Sequence, residues 1–185
     1  MRICAILLVL LPVFAQDAAR TALDRAVDDF SHARIDDSVR GFDRVVQLSP
    51  NSAPYLWQRG IALYYAGKYK ECRAQFESHR AVNPNDVENA TWHYLCVARA
   101  EPPELARAAL LPVGPDARRP MREVLDMFAG KLTPAQVLRA AGDSPEANFY
   151  AHLYIALYNE GIGKTAQALD EIRLAADPKY ESAGG

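Results

Sequence analysis

The chain has 185 residues, 50% of them apolar and 24% charged, and its 21 Lys and Arg against 23 Asp and Glu leave a formal net charge of -2. Enough apolar sequence for a core, and no low-complexity tract, exclude a chain that is disordered over most of its length. Without a basic excess, and with no like-charge run longer than two residues, nucleic acid is excluded as a partner class.

Met1-Arg2 precedes the apolar run Ile3 to Ala15, after which Gln16-Asp17 opens ordinary polar sequence. A short positive start, an apolar run and a Val13-x-Ala15 ending predict a cleavable export signal over residues 1–15. The run is shorter than the ~20 apolar residues a membrane span needs. It also lacks the polar positions at period 3.6 that a buried N-terminal helix would show. Cys4 stands ahead of most of the run rather than at the cleavage point, so the expectation is a periplasmic or secreted chain with no stable membrane anchor. Cys72 and Cys96 then remain, and either a bridge or two packed thiols is open to them. Their apolar helical surroundings favour free, packed thiols.

Residues 34 apart match in phase: Arg25 with Arg59, Ala26 with Gly60, Phe30 with Tyr64, Phe42 with Phe76, and Pro50-Asn51 with Pro84-Asn85. In residues 53–66 the positions Leu56, Gly60, Leu63 and Tyr64 recur at intervals of three and four, the stripe of an amphipathic helix. Gly60 leaves room for a partner helix, Gly67 suits a left-handed helix end, and Pro84 stops the second helix. Between Val87 and Glu146, two degenerate hairpins are predicted: Val87 to Ala100 with Pro103 to Leu111, and Ala117 to Ala129 with Pro134 to Ala141. Pro103 and Pro134 fit first helical turns, and Thr133 is a candidate cap. Ile61-Ala62-Leu63-Tyr64 returns as Ile155-Ala156-Leu157-Tyr158, marking a further copy near 147–178, before a short tail at 181–185.

Small residues at the eighth and twentieth positions of the second copy (Gly60, Cys72), Phe76 at the twenty-fourth and Pro84 at the thirty-second resemble the tetratricopeptide repeat (TPR), a 34-residue helix hairpin. The resemblance implies an all-α fold: a TPR-like right-handed superhelix of about five hairpins over residues 16–180, with regular repeats near 17–50, 53–86 and 147–178 and degenerate ones over 87–145. The order RGIALYYAGKY, TWHYLCVARAE, REVLDMFAGKLTPAQVL, NFYAHLYIALYNEG is similar to that of the new lipoprotein I family of bacterial envelope TPR proteins. This second resemblance implies a non-catalytic adaptor, without cofactor or metal, that brings peptidoglycan hydrolases to a processing protease and can form a homodimer. The lipid-anchor cysteine of that family is missing here.

No chemical motif competes with this reading. Gly161-Ile162-Gly163-Lys164-Thr165 resembles the end of a phosphate loop, but Tyr158 stands where that motif needs Gly, and the setting is helix to helix. His32, His79, His93 and His152 show no metal-ligand spacing. Asp36-Asp37 opens a helix, where its dipole favours negative charge. The residues left above background are aromatic. The TPR resemblance implies a concave groove lined by first helices, which on this chain places Trp57, Ile61, Tyr64 and Tyr65 on one helix, Arg99 on the next, and Asn148, Tyr158 and Asn159 on the last. An aromatic patch with this rim suits an envelope protein or peptide. The same rings could instead stack on sugars, which makes a glycan- or peptidoglycan-binding module the alternative.

Overall fold

Helix hairpins follow from how the sequence ends its helices. The computed structural model describes residues 7–180, and its regular structure is ten α-helices and two short 3-10 segments, with no strand among those residues. Residues 1–6 of the expected signal, and the tail at 181–185, lie outside the described residues. α1 (Leu7–Ser31) runs unbroken through the expected cleavage point after Ala15. No described helix is long and apolar enough to cross a membrane.

The residues fall into two compact units, one up to Val82 and one from Asn83. The first holds α1, α2 (Ile35–Leu48), α3 (Trp57–Tyr65) and α4 (Tyr69–His79), with a 3-10 segment over Pro50–Tyr55. α2 buries Val39, Phe42 and Val45 on one face and carries Asp36 and Asp37 in its first turn, as its spacing predicts. Ser38 Oγ donates to Ala26 O at 2.9 Å, closing α2 onto α1. Gly60 meets Phe76: a Cβ on Gly60 would stand 2.5 Å from the ring, so the small residue at this repeat position is required by the large one sixteen residues later. Instead of starting near residue 53, α3 begins at Trp57. Pro54 lacks an N–H and disfavours helical backbone at Ala53, so this stretch winds as 3-10.

The second unit holds α5 (Val87–Ala100), α6 (Pro103–Ala108), α7 (Met121–Phe128), α8 (Pro134–Ala141), α9 (Pro145–Gly161) and α10 (Thr165–Ala175), followed by a 3-10 turn at Pro178–Tyr180. α5 is buried nearly all round, with Trp92, Tyr94, Leu95 and Val97 in the interior, and packs on α6, α7 and α9. Gly161 lets α9 approach it, since a Cβ there would lie 2.8 Å from Leu95 Cδ2. At the start of α8, the Thr133 N–H donates to Gln136 Oε1 at 2.9 Å, one half of the capping arrangement expected at Thr133.

One turn recurs. At Ala33, Gly67, Gly130 and Gly163 the backbone is left-handed, with φ of 56°, 72°, 76° and 77°. In each case that residue's N–H and the next one's bond back to the helix just ended, as in Gly67 N to Tyr64 O at 3.0 Å and Lys68 N to Leu63 O at 2.9 Å. These are Schellman ends, and each is followed by a basic residue: Arg34, Lys68, Lys131 and Lys164.

The cysteines correct an expectation. Cys72 and Cys96 are wholly buried, but both are disulfide-bonded rather than free. An apolar neighbourhood suits a thiol and a half-cystine equally, so it could not separate the two states.

Candidate functional site

The first unit carries the exposed aromatics. Trp57 is 46% and Tyr65 51% exposed, and Tyr55, in the 3-10 segment, is 63% exposed. Ile61 and Tyr64 lie on the same helix but are buried. Tyr64 packs edge-on against Tyr65, with centroids 5.3 Å apart, and against Tyr69 of α4 at 5.8 Å. Tyr64 therefore backs the exposed Tyr65 ring, and neither it nor Ile61 is itself available for contact.

Tyr55 lines an open groove of about 1020 Å³ that runs between α1, the end of α2 and the 49–56 connector. Leu23, Val45, Leu48 and Leu56 give it apolar walls, while Arg20 and Tyr55 stand among its polar lining. The connector is fixed from behind. Gln75 Nε2 donates to Ala53 O and His79 Nδ1–H donates to Pro54 O, both at 2.7 Å. A carbonyl only accepts, so the His79 proton sits on Nδ1. Arg59 joins the same network, bonding Asp43 at 2.7 Å and Gln75 at 2.8 Å.

In the second unit, Tyr158 and Asn159 share a smaller cleft of about 410 Å³ with Arg107, Thr133, Pro134 and Lys164. Tyr158 packs on Phe128 at 5.3 Å, and Phe128 packs edge-on to the buried Tyr94 at 5.1 Å. Burial, ahead of the opposing pull of Arg107, raises the Tyr94 phenol above its ordinary value, so the ring stays neutral. Asn148, also on α9, is committed to the backbone instead, donating to Gly142 O at 2.7 Å and Ser144 O at 2.9 Å. Arg99 is exposed near the end of α5.

The Gly161–Thr165 run is the Schellman end of α9. The N–H groups of Ile162, Gly163 and Lys164 go to Tyr158 O, Glu160 O and Asn159 O at 3.1, 3.0 and 2.8 Å, so these three are not free to cradle a phosphate.

Sequence reading missed a charge cluster. Arg118, in the segment before α7, bonds Asp86 and Asp116 at 2.7 Å and also Glu88, whose other oxygen accepts from the buried Tyr154 hydroxyl. The Arg118 guanidinium also lies 6.0 Å from the Tyr150 ring centroid. Burial and the Glu88 carboxylate hold the Tyr154 phenol well above its ordinary value. These contacts span up to 66 residues, and no local pattern announces them.

No protein-family model matches the chain. Among the described residues, no group of three or more His, Cys, Asp or Glu could hold a metal ion. His32, His79 and His152 each bond a carbonyl or carboxylate of the chain, His152 Nδ1 with Glu171 at 2.7 Å tying α9 to α10.

Proposed function

We propose that this chain is a non-catalytic protein-binding module built from TPR-type helix hairpins and exported to the cell envelope, where it acts as an adaptor for peptidoglycan hydrolases or a processing protease. The observation that carries the binding role is the exposure of Trp57 and Tyr65 on α3, near half for both, on a helix whose other large apolar side chains, Ile61, Leu63 and Tyr64, are buried. Large rings held in water by a folded scaffold lose little entropy on contact and desolvate well, the behaviour of interface anchors. The recurrent Schellman ends at 33- and 34-residue spacing, Ala33 to Gly67 and Gly130 to Gly163, support the repeat architecture. The export reading rests on residues 1–15.

The test is retention of envelope proteins from an extract by the full chain, beside a Trp57→Ala, Tyr65→Ala variant whose helix content is verified by circular dichroism. Retention of a hydrolase or protease by the parent, lost in the folded variant, supports the adaptor role. Equal retention by both removes these rings from the interface. Retention of glycan strands but of no protein would favour the carbohydrate-binding alternative.

A further inference from the structure

The cleft at the end of α9 has a charge that no described residue answers with a carboxylate. Its lining includes two cations, Arg107 and Lys164, and no carboxylate. Neither cation has an ion-pair partner among the described residues. The bond recorded for the Arg107 side chain is a long one, Nη2 to the Tyr158 hydroxyl at 3.4 Å, and its Nε is buried without a partner. Glu104, one turn earlier on α6, acts on Arg107 only through space. Asn159 adds an independent sign: 93% buried by its 7% exposure, it lines the cleft, and its carboxamide makes no hydrogen bond among the described residues. Its polar atoms are not among those sealed from solvent. A buried amide that opens only on a cleft, beside two unanswered cations, is a donor set awaiting an acceptor.

The rest of the lining selects among anions. Leu132, Pro134 and the Tyr158 ring make much of the wall apolar, and the nearby N–H groups at 162–164 are spent on α9 carbonyls. A phosphate, with more oxygens and more charge to satisfy, would be poorly served. A planar carboxylate carried on an apolar stem matches a guanidinium fork, an ammonium and one amide.

We propose that this cleft binds a carboxylate of a partner polypeptide, with Arg107 and Lys164 supplying charge and Asn159 a neutral donor. The carboxylate source is either a chain terminus or an Asp or Glu side chain. The identity of the ligand as polypeptide rests on the protein-binding reading above.

The test is amide NMR on the full isotopically labelled chain, titrated with four probes: N-acetyl-leucine, its amide N-acetyl-leucinamide, N-acetyl-glutamic acid α-amide and inorganic phosphate. A carboxylate probe should shift the Gly130, Thr133 and Lys164 amides saturably, while the uncharged amide leaves them in place. Whichever of the two carboxylates binds more tightly identifies the source. Lys164→Gln, at an exposed position, should weaken binding roughly tenfold, and Arg107→Gln at least as much. Equal shifts with N-acetyl-leucinamide, preference for phosphate, or binding unchanged by Lys164→Gln would overturn the proposal. Carboxylate binding in a chain that retains no envelope protein would leave the cleft standing and remove the adaptor role. Retention of a partner through Trp57 with a silent cleft would do the reverse.

Discussion

Ala33 holds, at φ 56°, the left-handed backbone position that Gly67 holds at 72° thirty-four residues later. The two close the same turn with the same pair of hydrogen bonds, Ala33 N to Phe30 O at 2.9 Å and Arg34 N to Asp29 O at 2.8 Å matching those of Gly67 and Lys68. A side chain at positive φ crowds the backbone, at a cost of about 1–2 kcal/mol that Gly escapes. Part of the gain is returned, because Gly is freer in the unfolded chain.

Ala33→Gly should therefore stabilise the protein by about 0.5–1 kcal/mol, and Gly67→Ala should destabilise it by about 1 kcal/mol. Urea unfolding followed by circular dichroism reads both. An Ala33→Gly chain less stable than the parent would show that the turn is not strained.

Gly60→Ala is the sharper packing test. The added methyl would meet the buried Phe76 ring at 2.5 Å, and overpacking of this kind costs about 1–3 kcal/mol. Phe76→Leu in the same chain should recover part of the loss, giving a non-additive pair in a double-mutant cycle.

Arg118 holds three carboxylates together, so its removal leaves Asp86, Glu88 and Asp116 facing one another. Arg118→Ala should destabilise by about 2 kcal/mol. Arg118→Lys should fall between the two, since an ammonium keeps the charge but loses the planar fork.

The same cluster sets an acid limit. Burial opposes the Asp116 charge, but bonds from the Arg118 guanidinium and from the Arg118 and Val87 N–H groups outweigh it and hold the carboxyl below its ordinary value. A lowered folded pKa contributes stability that is complete above the unfolded value, about 4, and is lost as pH falls through the folded one. The urea midpoint should thus decline below about pH 4, and Asp116→Asn should make that decline shallower. An unchanged acid limb in the variant would remove Asp116 from the account.

Much of the helix order was legible because prolines and glycines punctuate it: Pro103 and Pro134 open α6 and α8, and Gly67 closes α3. The candidate binding residues were legible only in part. Trp57, Ile61, Tyr64 and Tyr65 share a helix, but which of them face water depends on where Tyr69 of the next helix lies, a contact that periodicity does not encode. The TPR resemblance singles out Tyr158 and Asn159 but not Arg107 and Lys164, which reach the cleft at the end of α9 from α6 and from the start of α10. Arg118 finds Glu88 and Asp86, two of its three carboxylates, 30 and 32 residues away, beyond any local pattern.

The clamp of Gln75 and His79 on the connector has a bearing on mutational screens. Both side chains are buried in α4, yet the carbonyls they hold belong to the segment that walls the groove. Under the proposed adaptor role, alleles at these two codons would score as loss of partner binding while leaving the exposed Trp57 and Tyr65 rings untouched. A map of the interface drawn from such a screen would be displaced by one helix, unless each allele were also scored for the ordering of residues 50–56 by hydrogen exchange.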